Sequence, residues 1–454
     1  MTEQLKLKLN DSKATRWGAL VIVAFTMMAA YYVNDVVAPL KTMLETDLAW
    51  SSTDFGFFTG GYSFLNVFFL MLIWGGLILD RFGIRFTGKL ATILMVGGTA
   101  LEYYAMTGLA GADATLFGIN EIFGYKTGVF VAFAGYSIFG VGAEVAGITV
   151  SKIIAKWFKG KELATAMGVQ VALARIGSQA GYAVAIPLAR AFGISTPVLL
   201  GLVLLLGGMI AFFIFAVMDK KLDKQMEAAA IAAGTEDEEE KFSFKDVKNI
   251  LVNPGFWLIA LLCVLFYSCV FPFQKFASEL MIIKYGINEN VAGTFAGLPA
   301  LGALILTPVF GGFIDKRGKS ASIMLLGSAM LICVHFIYAI PDINYWLVAI
   351  VLMIILGIAF SLVPSAMWPA VAKIFPVSQL GTAYALIFFI QNIGLWGIPT
   401  LIGWVLDAYC ISGKKPDGTN MYDYTVPMCI FTGIACLSLI AVSYTHLTLP
   451  TKLE

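Results

Sequence analysis

The chain has 454 residues, a formal net charge of +1 at pH 7, and 59% hydrophobic but only 13% charged residues. A soluble globular chain carries about a quarter charged residues, so this composition excludes an ordinary soluble protein and predicts one that crosses a membrane many times. The six cysteines show no CxxC or other ligand spacing and the two histidines lack a carboxylate cluster, which argues against a metal centre.

Twelve apolar runs separated by short polar segments follow one another along the chain. A membrane-spanning helix needs about 20 apolar residues, and each run is long enough to form one. The runs lie at 17–40, 54–79, 88–109, 127–151, 163–189, 195–218, 255–283, 291–314, 321–340, 345–372, 380–407 and 425–443. The polar residues before the first run lead into it without a small-residue cleavage site, which argues against a signal peptide.

Basic residues are unequally divided between the two sides of the predicted membrane protein. If the N-terminus is cytoplasmic, the loops on its side hold most of the lysines and arginines, whereas the opposite side holds few. The basic loops include Arg81, Arg85, Lys156, Lys161 and Lys316. Because positive residues tend to stay on the side of synthesis, both termini are predicted to face the cytoplasm.

The longest polar stretch, at 219–253, contains the acidic patch EDEEE (236–240) and falls between the sixth and seventh runs. It predicts a solvated tether between two groups of six helices. The predicted parts are a cytoplasmic N-terminus (1–16), an N-terminal six-helix bundle (17–218), a cytoplasmic linker (219–253) and a C-terminal six-helix bundle (254–442). The last segment, SYTHLTLPTKLE, lacks the apolar continuity and basic flank of a final helix, so 443–454 is predicted to be a non-native tail.

Two pairs of similar segments occur in the same order in the two groups of helices. GGLILDRFGIR (75–85) follows the second run and GGFIDKRGKS (311–320) follows the eighth. KELATAMG (161–168) opens the fifth run and SQLGTAYA (378–385) opens the eleventh. Two matched signals in order indicate a duplicated six-helix unit.

The first of these pairs resembles the signature of the major facilitator superfamily. The matching residues are Gly76, Asp80, Arg81, Gly83 and Arg85 in the first half and Gly311, Asp315 and Gly318 in the second. Glycines permit tight turns and close helix approach, the aspartates can meet a helix N-terminus, and the arginines can bridge carboxylates across the two halves. The resemblance implies an all-α membrane protein in which twelve transmembrane helices form two pseudo-symmetric six-helix bundles, with these residues in a gating role and the substrate at the midplane.

A closer resemblance covers most of the chain. GAEVAG (142–147), KWFKGKELATAMGVQVALARIGS (156–178), FPF (271–273) and MWPAVAKIFPVSQLGTAYALIFFIQNIGL (367–395) are similar to the dipeptide carriers of animal lysosomes called major facilitator superfamily domain-containing 1. The chain has no acidic dileucine signal at its N-terminus, so a bacterial inner (plasma) membrane is expected. The resemblance implies a monomer whose partners are a small zwitterion, the lipid bilayer and, if transport is coupled, protons. No cofactor and no nucleic acid are expected.

Two opposite charges lie deep in the fourth and fifth runs. With a rise of 1.5 Å per residue, Glu144 lies about 18 Å from the boundary at Lys156, and Arg175 about 21 Å from that at Lys161. Both are near the middle of a hydrocarbon core about 30 Å thick, where a charge needs a partner or a cavity. They either form a salt bridge that ties the two helices together or bind the amine and the carboxylate of a zwitterion. The resemblance favours the second alternative, because the matching residues of those carriers bind the dipeptide's termini.

In the internal repeat, Ser361 is equivalent to Glu144 and Asn392 is equivalent to Arg175. Neutral polar groups therefore replace the charges in the second half. This predicts that the second half contacts the peptide bond or the side chains of the substrate. The candidates on that face are Ser361, Gln391 and Asn392, with Trp368 and Trp396 as walls. Residues of these types in helices also serve ordinary packing. Gln179 could orient Arg175 or make an interhelical hydrogen bond.

Four further polar residues have predicted roles, three of them near the outer side and Glu102 deeper in the third run. Lys275 and Glu279 are spaced i, i+4, which favours an ion pair at the outer mouth and leaves a gating role as the alternative. Glu102 and Asp35 are candidate proton sites. Uniport and proton symport cannot be distinguished from this pattern.

Three classes of function are compatible with a chain of this kind. A secondary carrier for dipeptides or similar small zwitterions is favoured. A carrier for small organic or inorganic anions is the alternative, but it would need more than one buried cation, and only Arg175 lies centrally. A membrane enzyme is disfavoured because the sequence has no catalytic cluster.

Overall fold

The computed structural model describes residues 8–111, 114–233, 244–317, 319–375 and 377–448, and they are mostly helical. The helices of the N-terminal half are α1 (Lys13–Val36), α2 (Lys41–Asp47), α3 (Ser52–Phe68), α4 (Met71–Thr107), α5 (Thr127–Trp157), α6 (Leu163–Phe192) and α7 (Thr196–Ala233). Those that follow are α8 (Phe244–Val252), α9 (Pro254–Tyr285), α10 (Glu289–Ala296), α11 (Leu298–Arg317), α12 (Ser320–Ala339), α13 (Trp346–Ile374), α14 (Val377–Tyr409) and α15 (Thr425–Thr448). Two short antiparallel hairpins join strand β1 (Glu121–Ile122) to β2 (Tyr125–Lys126) and β3 (Ile411–Lys414) to β4 (Asn420–Tyr422).

All twelve predicted runs fall in helical segments. Within the described ranges, nine helices are long and apolar enough to cross a membrane, and α3 with α4, bent by 58°, gives a tenth span if the pair counts as one. The long helix α6 is not among them, although it coincides with the fifth run. The second and third runs share α4, which is interrupted at Gly83 (φ 75°, ψ 174°). Only glycine adopts that backbone conformation readily, so the predicted turn between these runs is present at Gly83.

The predicted linker is partly helical rather than a fully extended tether. Helix α7 continues to Ala233 and α8 begins at Phe244, because the ends of the stretch keep a helical pattern. The acidic patch at 236–240 lies outside the described residues. Helix α15 likewise continues to Thr448, past the predicted start of the tail. The domain boundaries stay predictions.

The two halves pack against each other mainly through three helix pairs. Helix α3 lies against α14, and α6 lies against α10 and α11. Glycines allow the backbones of α3 and α14 to touch: a Cβ added to Gly56 would come within 3.0 Å of the Cα of Gly403. Small residues are what permit such close helix approach inside a membrane.

Gly403→Ala is expected to lower the melting temperature of the detergent-solubilised protein. Its added Cβ would collide with the carbonyl oxygen of Ser52 and lie 2.9 Å from the Cα of Gly56, and backbone atoms cannot move aside. Overpacking of this kind costs about 1–3 kcal/mol. Gly397→Ala on the same helix is the control, because its Cβ would meet no atom within 4 Å. Equal melting temperatures for the two variants would contradict the close contact.

Candidate substrate site and gate

Glu144 is held on α5 with half of its carboxylate free. The hydroxyl of Tyr62 on α3 donates to Oε1 over 3.1 Å. The second oxygen, Oε2, has no hydrogen-bond partner in the described part of the chain and is not closed off from solvent. Glu144 and Tyr62 are both partly exposed. A carboxylate in the membrane interior therefore keeps one oxygen available for a cationic group.

Arg175 on α6 is held by aromatic rings rather than by a carboxylate. Its Cζ lies 5.5 Å from the ring centre of Tyr31 on α1 and 5.1 Å from that of Phe360 on α13, which are cation–π distances. The guanidinium makes no hydrogen bond or ion pair with any residue that the structure describes, and it is partly exposed. The alternative of a Glu144–Arg175 salt bridge is therefore wrong for this state, because no nitrogen–oxygen pair of the two comes within 4.0 Å.

Neither of these two charges is fully paired within the described residues, and Tyr31 lies within electrostatic range of both. An ion in the membrane interior without a counter-ion is costly, so each charge favours an additional charged partner. Sequence reasoning missed Tyr31, Tyr62 and Phe360, since aromatic residues inside apolar runs look like ordinary packing. The one signal available was that Phe360 precedes Ser361, the repeat position of Glu144.

The polar residues predicted on the second half are buried in packing. Ser361 donates to the carbonyl of Gly357, one turn earlier in its own helix, over 2.8 Å. Asn392 donates to the carbonyl of Phe388 over 2.9 Å, and Gln391 lies 3.4 Å from the thiol sulfur of Cys263. All three groups are buried in this state, because the repeat fixes their register along the helices but not their exposure, and their contact with a substrate stays a prediction.

The two predicted tryptophans have different positions. Trp368 on α13 is partly exposed and donates from Nε1 to the hydroxyl of Tyr267 over 3.1 Å. Trp396 on α14 packs edge-on against Phe68 of α3, with ring centres 4.7 Å apart. Trp368 therefore remains a candidate wall residue, whereas Trp396 belongs to the contact between the halves.

Gln179 lies at the interface of the halves as well. Its Nε2 donates to the carbonyl of Thr294 on α10 over 3.3 Å. Among the described residues, Gln179 makes no contact with Arg175. In this state Gln179 therefore forms an interhelical hydrogen bond, which is one of the two predicted roles, and does not orient Arg175.

The predicted ion pair between Lys275 and Glu279 is wrong. Lys275 reaches from α9 to α1, where its Nζ lies 2.5 Å from the carbonyl oxygen of Asn34 and 3.3 Å from Oδ1 of Asp35. The hydroxyl of Tyr136 on α5 is 3.4 Å away. Each member of the expected pair faces the other half of the molecule, and a partner there replaces the neighbour on the same helix. Asp35, a candidate proton site, is thus part of a cross-half ion pair.

Glu279 belongs to a buried network at the same end. Lys41 Nζ lies 2.6 Å from Oε2 of Glu279 and 2.5 Å from Oε1 of Glu45. Lys415, just after β3, approaches Glu45 and Glu279 at 3.8 and 3.9 Å, and the hydroxyl of Tyr424 donates to Glu279. We call this end of the molecule the far end, and the opposite end, which carries Arg85 and Lys156, the basic end.

A third contact at the far end uses a helix N-terminus. Asp407 on α14 accepts hydrogen bonds from the backbone N–H groups of Ser52 and Thr53, at 3.3 and 2.6 Å. These amides open α3, where the helix dipole favours a negative charge. The hydroxyl of Tyr422 donates to Asp407 over 2.7 Å, and burial raises the pKa of Tyr422 far above its usual value, which keeps that hydroxyl a donor. The far end is therefore closed by several charged contacts between the halves.

A match to the Major Facilitator Superfamily family model covers residues 20–399, which is most of the chain. The chain belongs to the major facilitator superfamily. Its fold agrees with solved members of that superfamily: the inward-open xylose transporter XylE from E. coli (TM-score 0.69, 14% identity, 96% of each chain) and the nucleoside transporter NupG (TM-score 0.69, 12% identity, 94% of this chain and 98% of that one). The predicted fold class is confirmed.

The curated relatives carry a more specific name. The lysosomal dipeptide transporter MFSD1 from Homo sapiens is 29% identical over 409 residues, which are 87% of this chain and 81% of that protein. The protein of the same name from Gallus gallus is 33% identical over 287 residues, 60% of this chain and 62% of that protein. The resemblance found in the sequence is thus confirmed.

The superfamily signature lies at the basic end and makes contacts within its own half. Asp80 pairs with Lys152 of α5 at 3.0 Å. Arg85 pairs with Asp223 at 2.7 Å and Asp219 at 3.6 Å, both on α7, so the prediction that it bridges the two halves is wrong in this state. Acidic residues of the adjacent helix α7 are its partners among the described residues.

The other signature residues have fewer neighbours. Arg81 is exposed, and its guanidinium lies 5.5 Å from the ring of Phe82. A Cβ at Gly76 or Gly311 would meet nothing within 4 Å, so the expected close helix approach is absent there. The side chain of Asp315 and all of Gly318 lie outside the described residues. Gly76 and Gly311 thus have no close neighbour among the described residues at the basic end.

Glu102 on α4 is a fully buried carboxyl group. Neither of its oxygens has a hydrogen-bond partner among the described residues. Among the described residues, the charged group Lys275 and the hydroxyl of Tyr136 lie within electrostatic range of Glu102. Its role as a proton site stays a prediction.

Glu102→Met is expected to raise the melting temperature of the protein in detergent. Burying a polar group without a partner costs about 1–3 kcal/mol, and methionine fills a similar volume without that cost. Glu121→Met, at an exposed position in β1, is the matched control and should change little. A large loss of stability in Glu102→Met would mean instead that the carboxylate has a stabilising partner such as Lys275.

Proposed function

We propose that this secondary transporter of the major facilitator superfamily carries dipeptides or similar small zwitterions by alternating access. The observation that carries the proposal is the half-free carboxylate of Glu144 together with the guanidinium of Arg175, which has no ionic partner among the described residues; both are partly exposed. A carboxylate suits an ammonium group, and a guanidinium fork suits a carboxylate. The dipeptide transporters among the relatives support the same substrate class.

The contacts between the halves support alternating access as the mechanism. Where both partners are described, the cross-half ion pairs lie at the far end, as with Lys41 and Glu279. At the basic end the signature residues pair within their half, and Gly76 and Gly311 have open space beside them. Transport would then require that the far-end contacts break as the basic end closes. We infer that the basic end faces the cytoplasm, in agreement with its positive charge.

Ligands with one blocked end test the substrate class. The purified protein should gain thermal stability with dialanine, but little with N-acetyl-dialanine, which lacks the ammonium group, or with dialanine amide, which lacks the carboxylate. Binding stabilises a protein in proportion to the logarithm of ligand concentration over Kd, so the shifts give relative affinities. Equal shifts with the blocked ligands would reject the zwitterion site. A response to dicarboxylates alone would favour an anion carrier instead.

A further inference from the structure

Aromatic side chains of the C-terminal half form a continuous surface that begins beside Arg175, where Tyr267 and Phe360 are buried, and continues to rings that are partly exposed. We call this surface the aromatic wall, and its members are Tyr267, Phe271, Phe360, Trp368, Tyr384 and Phe388. Phe360 contacts Phe271 at 5.3 Å and Tyr267 at 6.1 Å between ring centres. Trp368 then continues the surface, stacked on Phe388 at 4.8 Å and tilted against Tyr384 at 5.7 Å.

Hydrogen bonds hold the wall in a fixed shape. Trp368 donates to the hydroxyl of Tyr267 over 3.1 Å, and Tyr384 donates to the backbone carbonyl of Trp368 over 3.0 Å. The polar ends of these rings are therefore satisfied within the wall. Trp368, Tyr384 and Phe388 nevertheless remain partly exposed. Rings fixed in this way lose little conformational entropy when a ligand packs on them.

The wall begins at the guanidinium of Arg175. Phe360 lies 5.1 Å from Cζ of Arg175, and Trp368 follows Phe360 by eight residues in α13, about 12 Å further towards the basic end at the helical rise. In a dipeptide, the side chain of the C-terminal residue branches from the carbon that bears the carboxylate. A carboxylate bound at Arg175 thus brings that side chain next to the wall, whereas the N-terminal side chain lies near Glu144.

We propose that the aromatic wall binds the side chain of the substrate's C-terminal residue, so that the site selects dipeptides ending in a large apolar or aromatic residue. This inference rests on the proposed function and names the substrates that the same site prefers. Burial of a phenyl ring against aromatic faces favours binding by about tenfold or more over a methyl group. The N-terminal side chain lies instead beside Glu144, where Tyr62 is hydrogen-bonded to the carboxylate and the neighbouring rings of Tyr136 and Phe139 are buried.

Two dipeptides that contain the same two residues in opposite order test the inference directly. Alanyl-phenylalanine should bind the full-length protein with a Kd at least about tenfold below that of phenylalanyl-alanine and of dialanine, as measured by thermal-shift titration or microcalorimetry. In Trp368→Ala the Kd for dialanine divided by the Kd for alanyl-phenylalanine should fall towards one. In Trp368→Phe this ratio should lie between the values of the native protein and of Trp368→Ala. Trp404→Ala is the control, since this exposed ring of α14 contacts Tyr409 and lies outside the wall.

Phe388→Ala gives a second test should Trp368→Ala not fold, and the same fall in ratio is expected. Equal affinities for the two orders, or a ratio unchanged in both wall variants, would overturn the inference. The proposed function would survive that result provided that unblocked dipeptides still bind and blocked ones do not. If no dipeptide binds, the proposed function fails and the inference fails with it.

Discussion

Arg175→Lys is expected to raise the Kd for a dipeptide by about 10- to 100-fold. Lysine keeps the positive charge but loses the planar fork that binds both oxygens of a carboxylate, and hydrogen bonds to charged groups contribute about 1.5–3 kcal/mol. The ring contacts of Arg175 with Tyr31 and Phe360 would also weaken. Thermal-shift titration with dialanine measures the change. Arg317→Lys, at an exposed position at the end of α11, is the control and should bind normally.

Blocked ligands separate this role from a general loss of stability. Dialanine amide has no carboxylate, so its weak binding should be nearly the same in the native protein and in Arg175→Lys. Glu144→Gln should show the converse pattern, with N-acetyl-dialanine unaffected and dialanine weakened. An Arg175→Lys protein that binds dialanine with native affinity would remove the guanidinium from the site.

The helical spans and the two central charges could be predicted from the sequence because both are local properties. An apolar run of sufficient length must be buried in lipid or protein, and a charge at its middle must face a cavity or a partner. Glu144 and Arg175 were therefore found by depth alone. The residues around them could not be predicted from the sequence, because Tyr62, Tyr31 and Phe360 belong to three other helices.

The partners at the gate depend on long-range packing. Lys275 and Glu279 are one turn apart, yet they bind Asp35 and Lys41 of the other half, more than two hundred residues earlier. Helical spacing predicts only which side chains share a face and not which helix that face meets. Equivalent register in the repeat did not give equivalent exposure either, since Ser361 and Asn392 are buried whereas Glu144 and Arg175 are partly exposed.

Buried ion pairs suit a contact that would form and break in each cycle of the proposed alternating access. The attraction between the charges is offset by the loss of their hydration, so the net free energy is small even though removing one partner alone is costly. The far end combines Lys275 with Asp35, Lys41 with Glu45 and Glu279, and a helix N-terminus with Asp407. When the halves part there, water can replace each lost partner. A hydrophobic seal of the same area would lack this compensation.

Lys41→Met is expected to shift the protein towards a state that is open at the far end. The substitution leaves Glu45 and Glu279 buried with only Lys415, at 3.8 and 3.9 Å, as counter-ion. Breaking a buried pair in this way costs about 3–5 kcal/mol in the closed state, and less in an open state where water reaches the carboxylates. An Ala38→Cys reporter, which is 2% exposed in the turn after α1, should react faster with a membrane-impermeant thiol reagent added at the far side.

Two further variants decide whether the effect comes from the gate. Lys284→Met removes a lysine whose Nζ binds the carbonyls of Tyr338 and Ile340 within the C-terminal half. In this variant the Ala38→Cys reporter should react with the thiol reagent as slowly as in the otherwise native protein. Adding Glu279→Gln to Lys41→Met removes one of the unpaired carboxylates and should restore part of the protection, because the remaining charges are again balanced. Labelling of Lys41→Met no faster than that of Lys284→Met would mean that Lys41 and Glu279 do not hold the far end closed.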